Sequence, residues 1–233
     1  SGEVATRLGL RGVSKSAETI VLERDVRLVA LTGGRYHAAT ISCAESLDVI
    51  KDAKKRGLRV TCGVSVNHLT FNENDIGSYR TFFKVRPPLR HEDDRQAMIA
   101  GLASGDIDIV VSSHDPQDAD TKRRPFAEAS DGAAGLETLL SAMLRLHHSE
   151  GLELIDVLAP MTSKPAQLFG LPVGRLQQGA IADIIQFDPD RPWVVNKDRL
   201  RSRSQNTPFD DARLQGRVLR TLVAGKLEYE YEH

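Results

Sequence analysis

Residues 35–66 read RYHAATISCAESLDVIKDAKKRGLRVTCGVSV and contain the pattern from which the fold class can be predicted. Residues 35–42 and 58–66 are short, largely apolar runs, which are typical of buried strands. The segment between them has helical periodicity and ends before Gly57. A strand, a helix and a strand in this order predict a βα unit of a parallel sheet.

The helix of this unit has a start signal and an apolar side. Ser42 and Glu45 have the spacing of a capping box, in which each side chain bonds the backbone of the other. Helical spacing places Leu47, Ile50 and Ala53 on one side. We therefore expect this side to face the core.

The flanking segments repeat the pattern. A helix is predicted over Ser16–Leu31, ended by Thr32-Gly33-Gly34, and another over Glu92–Ala103. The apolar face of the first helix comprises Ile20, Val21, Val26, Leu28 and Val29. A third strand follows near 107–113, within the run 106–116. We expect three adjacent parallel strands flanked by helices.

Two loops and one more helix complete the first part of the chain. Asn67-His68-Leu69 is expected in a loop after the second strand, and residues 116–131 form a polar, irregular segment, a candidate active-site loop. A helix is predicted over Leu136–His147. Its expected core residues are Leu136, Leu139, Leu140, Met143 and Leu144.

The pattern changes at about residue 174. Strand-like runs at 179–189, 192–195 and 217–231 are separated by turns, and Ala224-Gly225-Lys226 predicts a hairpin turn. The sequence therefore predicts an α/β fold with two parts, an α/β domain over 1–173 and a small β segment over 174–233.

Composition excludes several classes of protein. The chain has 233 residues, of which 40% are hydrophobic and 27% charged, a composition typical of a globular protein. Its net charge of −1 is not typical of a nucleic-acid-binding protein. No apolar run approaches the ~20 residues of a membrane span. Two cysteines without CxxC spacing favour a cytoplasmic location. Residue 1 is Ser, so we expect a processed chain or a piece of a longer one.

Six segments together resemble the C-terminal half of class I dihydroorotases, within the amidohydrolase superfamily. They are 5–10 (ATRLGL), 33–37 (GGRYH), 86–90 (RPPLR), 132–138 (GAAGLET), 165–171 (PAQLFGL) and 206–209 (NTPF). The resemblance implies a distorted (β/α)₈ barrel with a small composite β-sandwich. This chain would then hold the last three barrel strands, the closing helices and the later sandwich strands. Three strands cannot close such a barrel.

The resemblance also implies a zinc site, most of whose ligands lie upstream of these residues. Two family ligands fall within the chain: a histidine, replaced here by Thr40, and an aspartate, replaced by Ser113. A catalytic zinc needs imidazole or carboxylate ligands, and a neutral hydroxyl is a poor substitute. We therefore expect this chain to bind no zinc and to have no catalytic residue of its own.

The residues near Thr40 and Ser113 are poor substitutes for the two family zinc ligands. Asp115 lies two residues after Ser113, but in a proline-containing turn beyond the strand. His37 is three residues from Thr40, so alternation along a strand directs it to the opposite face, where we expect an ordinary hydrogen-bonded side chain. Cys43 and Cys62 are interpreted as small buried hydrophobes.

The substrate positions of the family have also changed. The family's asparagine before Pro-Pro-Leu-Arg is Arg86, which remains able to bind a carboxylate, and a later histidine is Gln117. The candidate pocket residues are Asn67, His68, Arg86, His114, Asp115, Gln117, Gly132 and Gly135. Hydrogen bonding in a loop remains the alternative for His68, and tight packing at a helix start the alternative for the two glycines.

Changes at four positions of one pocket favour an inactive homologue. The resemblance implies that such proteins of pyrimidine biosynthesis are structural partners of the aspartate transcarbamoylase catalytic chain. The alternative is an active zinc-dependent dihydroorotase, interconverting carbamoyl aspartate and dihydroorotate, which requires the N-terminal half. A hydantoinase-like or allantoinase-like enzyme is a third hypothesis. We also expect this chain to self-associate or to bind the N-terminal half, with no nucleic-acid or membrane partner.

Overall fold

The computed structural model describes residues 2–232 and divides into two compact units. The first unit runs to Leu136 and includes Leu200–Pro208, and the second contains Glu137–Arg199 and the residues from Phe209 onward. The predicted boundary at 173/174 follows a different criterion, the change from helices to antiparallel strands, and stays a prediction.

The first unit is built on a parallel sheet in the order β1-β2-β3. The strands are β1 (Tyr36–Ile41), β2 (Val60–Ser65) and β3 (Ile109–Val111). The helices are α1 (Glu3–Arg7), α2 (Ser16–Thr32), α3 (Ala44–Lys55), α4 (Val66–Thr70), α5 (Glu92–Ala103) and α6 (Ala119–Lys122). Short 3₁₀ turns lie at Glu73–Ile76 and Thr81–Phe83. The prediction of three adjacent parallel strands is confirmed.

The second unit contains helices and an antiparallel sheet in the order β4-β5-β6. Its helices are α7 (Leu139–Glu150), α8 (Leu154–Leu158) and α9 (Ser163–Phe169), and its strands are β4 (Ile184–Val194), β5 (Arg213–Val223) and β6 (Lys226–Glu230). Short 3₁₀ turns lie at Ala159–Met161 and Lys197–Arg199. The predicted hairpin turn is confirmed, because Val223 pairs with Lys226 and both residues between them have positive φ.

The start of α3 differs from the prediction. The capping box is wrong: the N-cap is Cys43 and makes no side-chain bond, while Ser42 donates its N–H to Glu18 Oε1 at 2.8 Å and its hydroxyl to Oε2. Asp94 Oδ1 accepts the Ala44 N–H at 3.1 Å. Two carboxylates from other helices therefore supply what a local cap was expected to supply.

The faces of two helices also differ from the predictions. On α2 the buried residues are Leu22, Val26 and Val29, whereas Ile20, Val21 and Leu28 are exposed. On α7 Met143 and Leu144 are buried as predicted, but Leu136 lies before the helix and is exposed. By contrast, Leu47, Ile50 and Ala53 of α3 are all buried as predicted.

Several loop predictions need correction. Residues 67–69 lie in α4, because the Ser65 side chain accepts the Asn67 N–H and caps a helical turn directly after β2. The 116–131 segment contains α6, capped in the same way by Asp118. None of the described helices is both long and apolar enough to cross a membrane.

Candidate functional site

Several candidate residues lie at the carboxyl ends of the three parallel strands. Thr40 is the penultimate residue of β1, Asn67 follows β2, and Ser113 follows β3. The carboxyl ends of parallel strands lie on the same side of the sheet. In parallel α/β folds, ligands bind at these carboxyl ends.

Thr40 lies at an irregularity of β1. Ala38 pairs with Cys62 and Ile41 with Val64, so β1 has one residue more than β2 over this stretch, a β-bulge. Strict alternation from His37 to Thr40 is therefore interrupted, and the parity argument for His37 does not hold. His37 Nδ1 forms a hydrogen bond with Thr61 Oγ1 at 2.8 Å, and burial lowers the pKa of the imidazole.

His114 lies at the end of β3 and contacts the glycine-rich segment. Its Nδ1 accepts the N–H groups of Gly135 and Leu136, both at 3.3 Å. This assigns the lone pair to Nδ1 and, in the neutral ring, the proton to Nε2. Ser113, directly before it, has a φ of 47°, in the left-handed region. The chain turns sharply at the predicted ligand position.

Gly132 and Asp115 are in close contact. The Asp115 N–H bonds the Ala133 carbonyl at 2.8 Å, and Asp115 Oδ1 accepts from Gln117 Nε2 at 2.8 Å. A Cβ on Gly132 would lie 2.6 Å from the Asp115 carbonyl oxygen and 2.7 Å from Gln117 Nε2. A Cβ on Gly135 would lie 2.8 Å from the Ser112 carbonyl oxygen. Both glycines are required by close backbone approach.

We expect Gly132→Ala to lower the free energy of unfolding by about 2 kcal/mol, because its φ of 126° is strained for any other residue and the added methyl meets Asp115. Urea denaturation measures the loss. Gly105→Ala is the matched control, since its φ is 78° and nothing lies within 4 Å of the added carbon. Equal losses for the two variants would contradict the role given to close approach.

Asn206 is a residue whose role sequence reasoning missed. Its side chain is buried, donates to the Gly132 carbonyl at 3.1 Å and accepts the Gln117 N–H at 3.1 Å. Its own carbonyl accepts the Ala134 N–H at 3.1 Å. Asn206 thus joins the two loops of the candidate site. Its only signal in the sequence is membership of the NTPF segment.

Lys122 is a second missed residue. Its buried ammonium donates to the carbonyls of Thr81, Lys84 and Ser130 at 3.0, 3.3 and 2.8 Å. Burial lowers the pKa of Lys122 to about 8, and Asp131 opposes this shift. The lysine holds the 116–131 segment against the chain before Arg86.

Arg86 joins the same region through an ion pair. Its guanidinium lies 3.2 Å from Asp131 Oδ2, and its side chain is 84% exposed. Exposure of this degree makes the pair weak. Direct contacts therefore join His114, Asp115, Gln117, Gly132 and Gly135, whereas Arg86 is linked to them through Asp131, the residue before Gly132.

Asn67 and His68 form a separate buried pair after β2. His68 Nε2 lies 3.2 Å from the Pro88 carbonyl oxygen, and burial lowers the pKa of this imidazole. Within the described residues His68 Nδ1 and Asn67 Oδ1 have no hydrogen-bond partner. Neither His68 nor Asn67 shares a hydrogen bond with the His114 group.

Burial of His68 predicts a pH effect. Its folded-state pKa lies below the ordinary 6.5, so the unfolded chain binds the proton more tightly and stability falls as pH decreases below about 6.5. We expect His68→Gln to lose this component, up to about 1.4 kcal/mol per pH unit. Urea denaturation between pH 8 and pH 5.5 measures it, with exposed His148→Gln as control. Parallel pH curves for His68→Gln and wild type would contradict it.

The donor set of the described residues does not fit a zinc ion. Thr40 and Ser113 offer neutral hydroxyls, and no three His, Cys, Asp or Glu side chains in residues 2–232 are grouped so that they could hold a metal. Cys43 and Cys62 are buried, and burial raises the pKa of both thiols, that of Cys62 to about 12. Whether this chain contributes to a metal site stays a prediction, since the resemblance places further ligands outside it.

The chain is similar in sequence to curated dihydroorotases. Dihydroorotase of Anaplasma phagocytophilum (strain HZ) is 41% identical over 232 residues, 99% of this chain and 52% of that protein. Dihydroorotase of Anaeromyxobacter sp. (strain K) is 42% identical over 98% of this chain and 53% of that protein. The chain thus spans about half the length of the curated relatives it matches.

Solved structures show the same fold over a similar extent. L-hydantoinase (dihydropyrimidinase) from Arthrobacter aurescens matches with a TM-score of 0.84 and 29% identity, over 90% of this chain and 48% of that one. Dihydropyrimidinase from Brevibacillus agri NCHU1002 matches with a TM-score of 0.86 and 21% identity, over 93% and 49%. The α/β fold is therefore that of the hydantoinase structures, over about half of their length. The model of the amidohydrolase family matches residues 16–227, and the chain belongs to this family.

Proposed function

We propose that this chain is part of a dihydroorotase-like protein of pyrimidine biosynthesis that has lost its metal chemistry and serves as a structural partner of the aspartate transcarbamoylase catalytic chain. The observation that carries the proposal is the chemistry at two strand ends, where Thr40 and Ser113 stand in place of a histidine and an aspartate. The resemblance to inactive dihydroorotase homologues supports the choice of partner.

The proposal includes a finer description of the fold. Strands β1–β3 are the last three strands of a (β/α)₈ barrel with its closing helices, and β4–β6 are a segment of a composite β-sandwich. The parallel order with a helix between successive strands supports the first part, and the separate antiparallel sheet supports the second.

Both edges of the parallel sheet need a partner. Within residues 2–232 neither the outer edge of β1 nor that of β3 is paired with another strand. Unpaired edges favour association, either with the N-terminal half or with a second copy. Size-exclusion chromatography with light scattering on the 233-residue chain tests this, and a stable monomer at high concentration would contradict it.

The second candidate is an active zinc-dependent dihydroorotase completed by the N-terminal half. The names of the relatives, dihydroorotase at about 40% identity, favour it. In this candidate the missing ligands come from elsewhere in the longer protein.

Metal analysis and activity of the full-length protein, purified without chelators, distinguish the two candidates. We expect less than one zinc per chain, no hydrolysis of dihydroorotate, hydantoin or allantoin, and co-elution with the aspartate transcarbamoylase catalytic chain of the same organism. The double variant Thr40→His/Ser113→Asp is expected to raise the zinc content, because it supplies the two absent ligand types. Stoichiometric zinc with dihydroorotase activity in the unmodified protein would overturn the proposal.

A further inference from the structure

Residues 85–89 are joined to the rest of the first unit mainly through their side chains. They lie in no helix or strand, and among the described residues none of them has a hydrogen bond from its backbone to another backbone group. The flanking bonds run from the Gly132 N–H to the Lys84 carbonyl, at 2.9 Å, and from the Glu73 N–H to the Arg90 carbonyl, at 2.8 Å. A segment with so few backbone bonds is expected to open before the strands do.

His68 supplies a hydrogen bond in the middle of this segment. Its Nε2 lies 3.2 Å from the Pro88 carbonyl oxygen, which accepts no other bond from the part of the chain that the structure describes. A carbonyl oxygen only accepts, so Nε2 carries the proton of the neutral ring and Nδ1 has the lone pair. Nδ1 is buried without a partner within residues 2–232 and His68 is 3% exposed, so residues outside this chain do not reach it.

A proton on Nδ1 has no favourable place in the folded structure. It would create a second N–H without an acceptor and a charge without water. Of the charged groups around the ring, Glu18 of α2 favours the charged form and Arg90 opposes it, but burial is the largest effect and lowers the pKa of His68. Glu18 is moreover already paired with Arg90 at 3.4 Å.

Helix α5 and strand β2, which pack against α4, do not compensate a charge on the ring. On α5 the buried Asp94 pairs with Lys15 at 2.8 Å, and Arg95 pairs with Glu92 at 2.6 Å. The one titratable residue in the sequence of β2 is Cys62, whose thiol stays neutral because burial raises its pKa to about 12. Protonation of a single imidazole therefore decides the charge at this contact.

We propose that the hydrogen bond between His68 and Pro88 is an acid-sensitive switch that controls the order of residues 85–89. The neutral ring holds the segment in place, whereas the protonated ring moves out to water and frees it. Arg86 then leaves its position beside Asp131, so acidification loosens one edge of the candidate site. The parallel sheet keeps its own backbone bonds and stays folded. The switch operates whether the longer protein is a structural partner or an active enzyme.

The direction of the pH effect follows from the two states of the segment. The open segment exposes His68 to water, where its pKa returns to about 6.5, so the open form binds the proton more tightly than the closed form. Below about pH 6.5 the opening constant should therefore rise about tenfold per pH unit, until the pKa of the closed form is reached. Above about pH 7.5 it should be constant.

Native-state hydrogen exchange of the 233-residue chain between about pH 5 and pH 7.5 measures the opening constant, after correction for the intrinsic exchange rate at each pH. The reporting amides are those of Glu73 and Gly132, which bond the two ends of the segment. At every pH they should open more readily than the amides of β2. Equal opening constants for the two sets would show global unfolding alone and would overturn the proposal.

Two variants make the test specific to His68. His68→Gln keeps an N–H donor for the Pro88 carbonyl but does not titrate in this range, so its opening constant should not change with pH. His91→Gln is the matched control, because His91 lies beside the segment with its side chain 58% exposed, and the tenfold rise per pH unit should remain. A rise that persists in His68→Gln would contradict the assignment of the switch to this ring.

An NMR titration of the unmodified chain tests the coupling without any variant. The His68 ring signals and the amide shifts of Arg86 and Leu89 should follow one curve, with a midpoint below about pH 6.5. Amide shifts in the segment that do not follow the ring would overturn the proposal.

Discussion

Glu18→Ala should lower the free energy of unfolding by about 3–5 kcal/mol, the largest effect we expect for a single substitution. The carboxylate accepts from the Ser42 N–H and hydroxyl and from the Ser46 hydroxyl at 2.7 Å, and it pairs with Arg90 Nη2 at 3.4 Å. The Arg90 side chain is 7% exposed. Removal of Glu18 leaves a buried guanidinium without its counter-charge and two buried hydroxyls without an acceptor.

Urea denaturation at neutral pH measures this loss. Asp48→Ala is the matched control, since Asp48 is an exposed carboxylate on α3 that has no ion pair or hydrogen bond to its side chain among residues 2–232, and its loss should stay within about 0.5 kcal/mol. Glu18→Gln keeps an acceptor oxygen but removes the charge, and should fall between the two. A loss below about 1 kcal/mol for Glu18→Ala would show that the buried pair contributes little.

Asn206→Ala should lower the free energy of unfolding by about 3 kcal/mol, because it leaves two backbone groups of the site loops, the Gln117 N–H and the Gly132 carbonyl, without partners. The side chain is buried, so water does not readily replace it. The effect should concentrate in the loops. Faster hydrogen exchange at the Gln117 amide is its local signature.

Two variants make the Asn206 test specific. Asn206→Asp keeps the acceptor for Gln117 but places an oxygen against the Gly132 carbonyl, so it should protect the Gln117 amide more than Asn206→Ala does while still destabilising the protein. Asn74→Ala removes an exposed asparagine side chain but keeps the bond from the Asn74 backbone N–H to Asn72 Oδ1, and should cost less than about 1 kcal/mol. Unchanged exchange at Gln117 in Asn206→Ala would contradict the role of Asn206.

The elements of the fold could be predicted from the sequence because their signals are local. The alternation of apolar strands and amphipathic helices over 16–111 predicts three parallel strands, because the spacing of apolar residues along the chain distinguishes a strand from a helix. The end of α2 at Gly33 and the hairpin at Ala224-Gly225 follow from the conformations that glycine permits. The types of residue at Thr40 and Ser113 are likewise read directly from the sequence.

The tertiary structure decided which local signals were used. Ser42 and Glu45 have the spacing of a capping box, but Glu18 takes the Ser42 hydroxyl and Lys15 pairs with Glu45 at 3.3 Å. Ile20 and Leu28 share apolar character with Val26, and only packing decides which of them is buried. A carboxylate from another helix can replace a local cap because a hydrogen bond requires only a nearby acceptor, whatever its position in the chain.

The candidate site depends still more on distant contacts. Asn206 bonds Gln117 across 89 residues and Gly132 across 74, and the bulge in β1 appears only in its pairing with β2. The pattern of strands and helices, and the neutral hydroxyl residues Thr40 and Ser113 at two strand ends, can be read from the sequence alone. Which polar groups meet depends on packing, because burial removes water as a partner and leaves each group only the donors and acceptors that packing brings to it.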